Sequence, residues 1–285
     1  MTSDQPRRAV RRPVHTGQFY EADPQILRRQ IERFLHPTTD ADASPPIALL
    51  APHAGYMYSG RVAGAAYRTV GRGAFDRVLI LAPSHRHYYE FEGGALPSQA
   101  AFATPLGEID VDRLAVEALC GRPGFEMNDN AHAEEHSIEV QLPFLQVALE
   151  TPFEILPVAL GAPPPKGWRT LADEVFDVLD ARRREGQRWL IVASSDTYHG
   201  HDAAACKEND RLLLELIETM DADGIVEGVQ SRKIMACGWA PLALAILLAR
   251  KAGAVRGRKL ERSDSMAESG GAGGYVVGYI AAAFD

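Results

Sequence analysis

Ala51-Pro52-His53-Ala54-Gly55-Tyr56-Met57-Tyr58-Ser59-Gly60 follows the apolar run 47–50 and leads into a helical pattern. A strand, a tight turn and a helix start are thus crowded into a short stretch. Residues 47–51 are apolar without alternation, as expected of a strand covered on both faces in a parallel sheet. Ser59 is a suitable cap for the helix, which the spacing predicts as far as residue 70. In open α/β proteins, ligands bind in the crevice beyond the carboxyl ends of the strands. His53, held between Pro52 and Gly55, stands at such an end.

The same grammar recurs along the chain. Residues 77–82 (RVLILA) form a second continuous apolar run, which ends in Pro83-Ser84-His85. Residues 153–160 predict a third strand. Residues 188–193 predict a fourth, which ends in Ser194-Ser195-Asp196-Thr197-Tyr198-His199. Further strands are expected at 255–262 and 275–283. Helical patterns occupy 23–35, 111–120, 138–149 (interrupted by Pro143), 168–184, 203–220 and 241–251. This alternation predicts an α/β fold, a three-layer sandwich with a mostly parallel central sheet. Glycine-rich residues 88–110 read as an edge hairpin or a lid, 128–137 as a polar loop, 263–274 as a flexible loop and 37–46 as a linker. Residues 1–13, with Arg7, Arg8, Arg11 and Arg12, read as a basic flexible tail before a single domain at 14–285.

Composition narrows the function. The net charge of -8 over 285 residues is unsuited to a general nucleic-acid surface. No apolar run reaches the ~18 residues of a membrane span, and no apolar segment follows the basic cluster as a signal peptide requires. Three cysteines without such a signal suggest a reduced, cytoplasmic protein.

Right-handed crossovers put all carboxyl ends of a parallel sheet on one edge, so His53, His85 and His199 are expected to converge. Cys237 precedes a helix whose amides and dipole would favour a thiolate, the form that ligates metals or attacks. Asp196 is placed to orient His199 or to move a proton. Cys120 and Cys206 fall inside amphipathic helices and read as core filler. Ser194-Ser195 lacks the Gly-x-Ser-x-Gly context of a hydrolase nucleophile. His132-Ala133-Glu134-Glu135-His136 matches H-x-x-E-H, in which two histidines on one helical face bind zinc and Glu135 acts as base. A zinc hydrolase is therefore a minor reading. The competing one is a helix start that points Glu135 and His136 at the rim of the site.

Taken together, PHAGYMYSG (52–60), APSH (82–85), EEHSIEVQLPFLQ (134–146), SSDTYH (194–199) and CG (237–238) resemble the Memo family. Its bacterial and archaeal members are called AmmeMemoRadiSam system protein B. HTGQFY (15–20) and GGYVVGYIAAA (273–283) fit as well, so the resemblance spans nearly the whole chain. It implies a fold like that of the class III extradiol ring-cleaving dioxygenases, which hold non-haem Fe(II) with two histidines and a carboxylate. By family pattern the metal ligands would be His53, His85 and Cys237. His199 and Asp196 would serve as acid–base groups beside them, with Glu135 and His136 in the same cleft. A thiolate in place of the carboxylate is softer and favours iron, copper or zinc over magnesium or calcium; among these the resemblance implies Fe(II) first, with copper or zinc as alternatives. The implied function is a dioxygenase-like oxidoreductase or redox protein. The alternative is a non-catalytic protein binding a peptide or other partner. The implied partners are a small-molecule or peptide ligand, protein A and the radical-SAM protein of the AmmeMemoRadiSam system.

Overall fold

A computed structural model describes residues 8–36, 44–164, 166–271 and 274–285. Four parallel strands form the centre of the sheet, in the order Glu154–Leu160, Arg77–Pro83, Trp189–Ser194, Ala48–Ala51. All are buried over nearly their whole length, which explains their unbroken apolar sequence. Beyond Ala48–Ala51 lies Val276–Phe284, antiparallel, and then Gly257–Asp264, antiparallel in turn. On the other side, Gly107–Val111 runs parallel to Glu154–Leu160 and forms a hairpin with Ala101–Thr104. Helices cover both faces of this mostly parallel sheet, giving the three-layer α/β architecture.

Local chemistry sets the helix starts. Asp23 accepts the N–H groups of Gln25 and Ile26, and Pro24 opens Pro24–Leu35. The helix after the first strand is Tyr56–Tyr67, capped by Gly55 rather than by Ser59, whose hydroxyl donates to the Ala54 carbonyl. Two glycines of this helix let Pro24–Leu35 lie close: a Cβ at Gly64 would fall 2.4 Å from the Phe34 carbonyl oxygen, and one at Gly60 2.5 Å from the Phe34 ring.

Several elements depart from the sequence reading. Of the two readings of residues 88–110, hairpin or lid, the hairpin holds: Ala101–Thr104 pairs with Gly107–Val111, and Gly94–Leu96 adds a further sheet strand. Asp112 caps a shorter helix, Arg113–Leu119. The run 138–149 is split into His136–Glu139 and Gln141–Leu149. Pro143 sits in the first turn of the second, where its missing N–H removes no helical bond. The loop read at 263–274 contains the short helix Ser265–Glu268.

The basic tail is the largest correction. Residues 1–7, and residues 37–43 of the linker, lie outside the described residues. From residue 8 onward the segment is part of the fold. Val10–Arg11 pairs in parallel with Ala101 and Phe102. Arg11 is buried, ion-paired with Glu139, and donates to the carbonyls of His132 and Glu135. Glu139 also accepts from Tyr20 Oη at 2.6 Å and from the backbone N–H groups of Val14 and His15. This carboxylate straps residues 10–20 across the helix that starts at His136.

Breaking a buried pair strands its partner, which typically costs about 3–5 kcal/mol. Arg11→Ala is therefore expected to lower unfolding free energy by about 3 kcal/mol in urea titrations. Burial would raise the Glu139 pKa; Arg11 and the donated hydrogen bonds outweigh it and bring it below the usual 4.5. Its stabilisation is thus complete above that value and is lost as pH falls through the lowered one. Arg11→Ala should flatten this acid limb of the pH–stability profile; an unchanged limb would show that the pair does not set it.

Candidate metal centre

Three strand ends build the site. Ala48–Ala51 delivers His53, Arg77–Pro83 delivers His85, and Trp189–Ser194 delivers Ser194, Ser195 and Asp196. The His53 and His85 ring centroids lie 5.1 Å apart at 85°.

The Ser194 hydroxyl fixes His53. It donates to the Ser137 carbonyl at 2.7 Å and accepts from Gln141 Nε2 at 2.8 Å. Gln141 is held in turn by Tyr67, whose hydroxyl donates to Gln141 Oε1 at 2.7 Å. With its single hydrogen committed, Ser194 Oγ can only accept from His53 Nδ1, 2.9 Å away. His53 is therefore the Nδ1–H tautomer, and its Nε2 carries the lone pair. That nitrogen lies 3.1 Å from Cys237 Sγ. Burial and the neighbouring histidines push the His53 pKa well down, so the ring is neutral.

Glu135 does the same for His85. Its Oε1 accepts from His85 Nδ1 at 2.9 Å and its Oε2 from the His85 N–H at 2.7 Å. Oε1 also accepts the Ser137 N–H, capping the helix His136–Glu139. Burial would raise the Glu135 pKa, but the His85 hydrogen bonds and the charges of His85 and His136 bring it to about 2. A carboxylate fixed behind a histidine, with the other ring nitrogen left open, is the outer support of many metal sites.

His136 belongs to the centre rather than to its rim. Its ring stacks on His85 at 4.6 Å and 21°, and against Phe19 at 4.7 Å. Burial lowers its pKa to about 4, so it too is neutral. His53, His85 and His136 each present a donor, and these atoms all lie within 4.8 Å of one another. Among the described residues this compact three-histidine group can hold a metal ion.

Cys237 reaches His53 because Gly238 follows it. A Cβ there would fall 2.2 Å from the Ser194 carbonyl oxygen, so only glycine lets this segment close on the strand end. Gly238 N–H donates to Ser195 Oγ, and Asp196 N–H donates to Cys237 Sγ at 3.3 Å. Burial and the Asp196 carboxylate push the thiol pKa well up, against the depression expected of a helix start. A coordinated cation reverses that balance, because a metal-bound thiol loses its proton.

Asp196 does not hold His199. It accepts the backbone N–H groups of His53 (2.8 Å) and Ala54, and burial raises its pKa to about 7. His199 Nδ1 instead donates to the Thr197 carbonyl at 3.1 Å, which leaves Nε2 as the free nitrogen. Consecutive residues of the helix Ala203–Glu218 support this wall. Asp210 accepts from Thr197 Oγ1, and Asn209 clamps the N–H and carbonyl of Met235, two residues before Cys237.

The H-x-x-E-H reading fails on geometry. The helix Asn130–Ala133 ends before Glu135, and a second helix starts at His136. His132 and His136 thus share no helical face. His132 Nε2 donates to the Ala95 carbonyl in the core, beside Phe102. Glu135 is tied to His85 and not poised as a base. Cys206 is buried and bonded to Arg262, whereas Cys120 is exposed at the end of its helix rather than packed in the core.

Fold and site together define an open α/β protein with a cleft of histidines and one thiol at the carboxyl edge of its sheet. The Memo-like protein family profile matches residues 11–283. MEMO1 family proteins of Sulfolobus acidocaldarius, Methanopyrus kandleri and Methanosarcina barkeri are 32%, 34% and 33% identical, over 96%, 96% and 95% of this chain and 99%, 98% and 98% of their own lengths. The chain belongs to the Memo family.

Removing an outer partner of a ligating histidine typically weakens metal binding by about 10–100-fold. Ser194→Ala and Glu135→Gln are each expected to do so here, measured by competition with a chelator of known affinity. Unchanged affinity in both would mean that His53 and His85 are not ligands.

Proposed function

We propose that this Memo-family chain is a metal-binding redox protein with a dioxygenase-like centre held by His53, His85 and Cys237. The 3.1 Å approach of Cys237 Sγ to His53 Nε2 carries this reading. It is near the spacing of two donors that share one ion through bonds of ~2.0–2.3 Å. The donor chemistry fits: two imidazoles whose Nδ1–H groups are held by Ser194 and Glu135, and a thiol that ionises on coordination. Imidazole with thiolate suits Fe(II), copper or zinc rather than magnesium or calcium. Bound iron or copper would supply one-electron chemistry and open positions for a small molecule.

The surrounding groups can handle protons. Asp196, with its pKa raised to about 7, can take up or release one near neutral pH while the His53 and Ala54 amides keep it in place. His199, neutral and held at Nδ1, offers Nε2 as a base toward a ligand in the cleft. A small molecule or an extended peptide is the ligand class proposed. Protein A and the radical-SAM protein of the AmmeMemoRadiSam system are the proposed partners. Three unpaired cysteines support a reducing, cytoplasmic setting. No helix among the described residues is long and apolar enough to cross a membrane.

Purified without oxygen, the protein is expected to carry about one iron or copper per chain, lost in His53→Ala. Metal analysis checks this, and oxygen uptake with catechols then tests turnover. Metal without catechol-dependent uptake would remove the dioxygenase-like activity and leave a ligand-binding protein. Absence of metal from the anaerobic protein and from protein reconstituted with each ion would overturn the centre itself.

A further inference from the structure

We infer that the cleft carries two overlapping ligand sets built on His53 and His85, one completed by Cys237 and the other, nitrogen-only, by His136. The inference rests on the metal-binding reading above and adds a second mode of binding to it.

Three observations support it. First, the compact donor group is His53, His85 and His136, all within 4.8 Å of one another. Cys237 is fixed instead by its contacts with His53 Nε2 and the Asp196 N–H. Second, His136 is built in rather than adventitious. Its ring is gripped between His85 and Phe19, and Phe19 is anchored by the Tyr56 N–H donated to its carbonyl. Third, the hydrogen bonds from His53 Nδ1 to Ser194 and from His85 Nδ1 to Glu135 leave Nε2 of each ring as the donor to a metal, that of His53 facing Cys237 Sγ. His136 Nδ1 lies 3.4 Å from Glu135 Oε1, beyond the usual length for such a bond, and among the described residues its ring has no closer hydrogen-bond partner to compete with a metal.

The two sets differ in softness. Two imidazoles with a thiolate favour a thiophilic ion such as Cu(I), whereas three imidazoles suit borderline Zn(II), Co(II) or Fe(II). Metal binding is then only partly dependent on the thiol. Loss of Cys237 shifts which ions the protein keeps, and loss of His53 removes both sets.

Co(II) serves as the probe, titrated anaerobically and followed by calorimetry and by the thiolate-to-cobalt absorption band. The variants are Cys237→Ser, His136→Phe, their combination and His53→Ala. Phenylalanine keeps the stacking on His85 and Phe19 while removing the nitrogen. Near-ultraviolet circular dichroism of each metal-free variant confirms that it is folded. Cys237→Ser is expected to lose the band yet bind Co(II) within about tenfold of the parent; the double variant and His53→Ala should bind at least about a hundredfold more weakly. The inference is overturned if Cys237→Ser falls as far as His53→Ala, or if adding His136→Phe to it changes nothing. Should the His136 variants fail to fold, Cys237→Ser alone decides, its electron-nuclear couplings in the Cu(II) form counting three imidazole nitrogens or two. A parent that binds no Co(II), Zn(II) or copper would instead defeat the metal-binding reading itself.

Discussion

The hydroxyl of Ser194 is the point on which the site depends. It has one hydrogen, and the Ser137 carbonyl takes it. Everything else that touches it must donate, so Gln141 and His53 do. One oxygen thereby ties the end of a central strand to the adjoining strand end at His53, to the helix start after His136 and, through Gln141, to Tyr67 of the helix Tyr56–Tyr67. The result is a histidine whose tautomer is set by the fold and whose free nitrogen faces Cys237. Moving any of these elements would cost a buried, satisfied polar network, which is expensive to break in a low-dielectric interior.

The rest of the architecture serves that arrangement. The parallel sheet brings His53, His85 and Asp196 to one edge. Gly238 lets the Cys237 segment close on Ser194, and the Asn209–Asp210 pair holds the Met235 and Thr197 segments that flank the thiol and His199. The strap at residues 10–20, fastened by Arg11 and Glu139, carries Phe19 onto His136. The site is thus assembled from segments far apart in the chain, from the strap at residues 10–20 to Met235–Gly238.

The central strands and two of the histidines were legible because their signals are local. A continuous apolar run followed by Pro-His or Pro-Ser-His states both a buried strand and its end. The remainder depends on contacts that no spacing reveals. Arg11 looked solvated because it lies in a run of arginines, and its partner Glu139 stands far along the chain. His132 and His136 matched a zinc pattern, but Glu135 breaks the helix between them by capping the next one. Asp196 was expected to orient His199, yet it is occupied by the His53 and Ala54 amides, and a backbone carbonyl does that work. Its place before a helix marked Cys237 as a candidate thiolate, and only the family resemblance made it a metal ligand beside His53 and His85.

The central claim is that the fold aims His53 Nε2 and Cys237 Sγ at one ion. An anomalous-scattering map at the copper edge, from crystals of the protein loaded with Cu(I) without oxygen, tests it most directly. The account predicts a single peak within ~2.0–2.3 Å of His53 Nε2, His85 and Cys237 Sγ. A peak that does not reach His53, or one that leaves Cys237 uncoordinated, would contradict it.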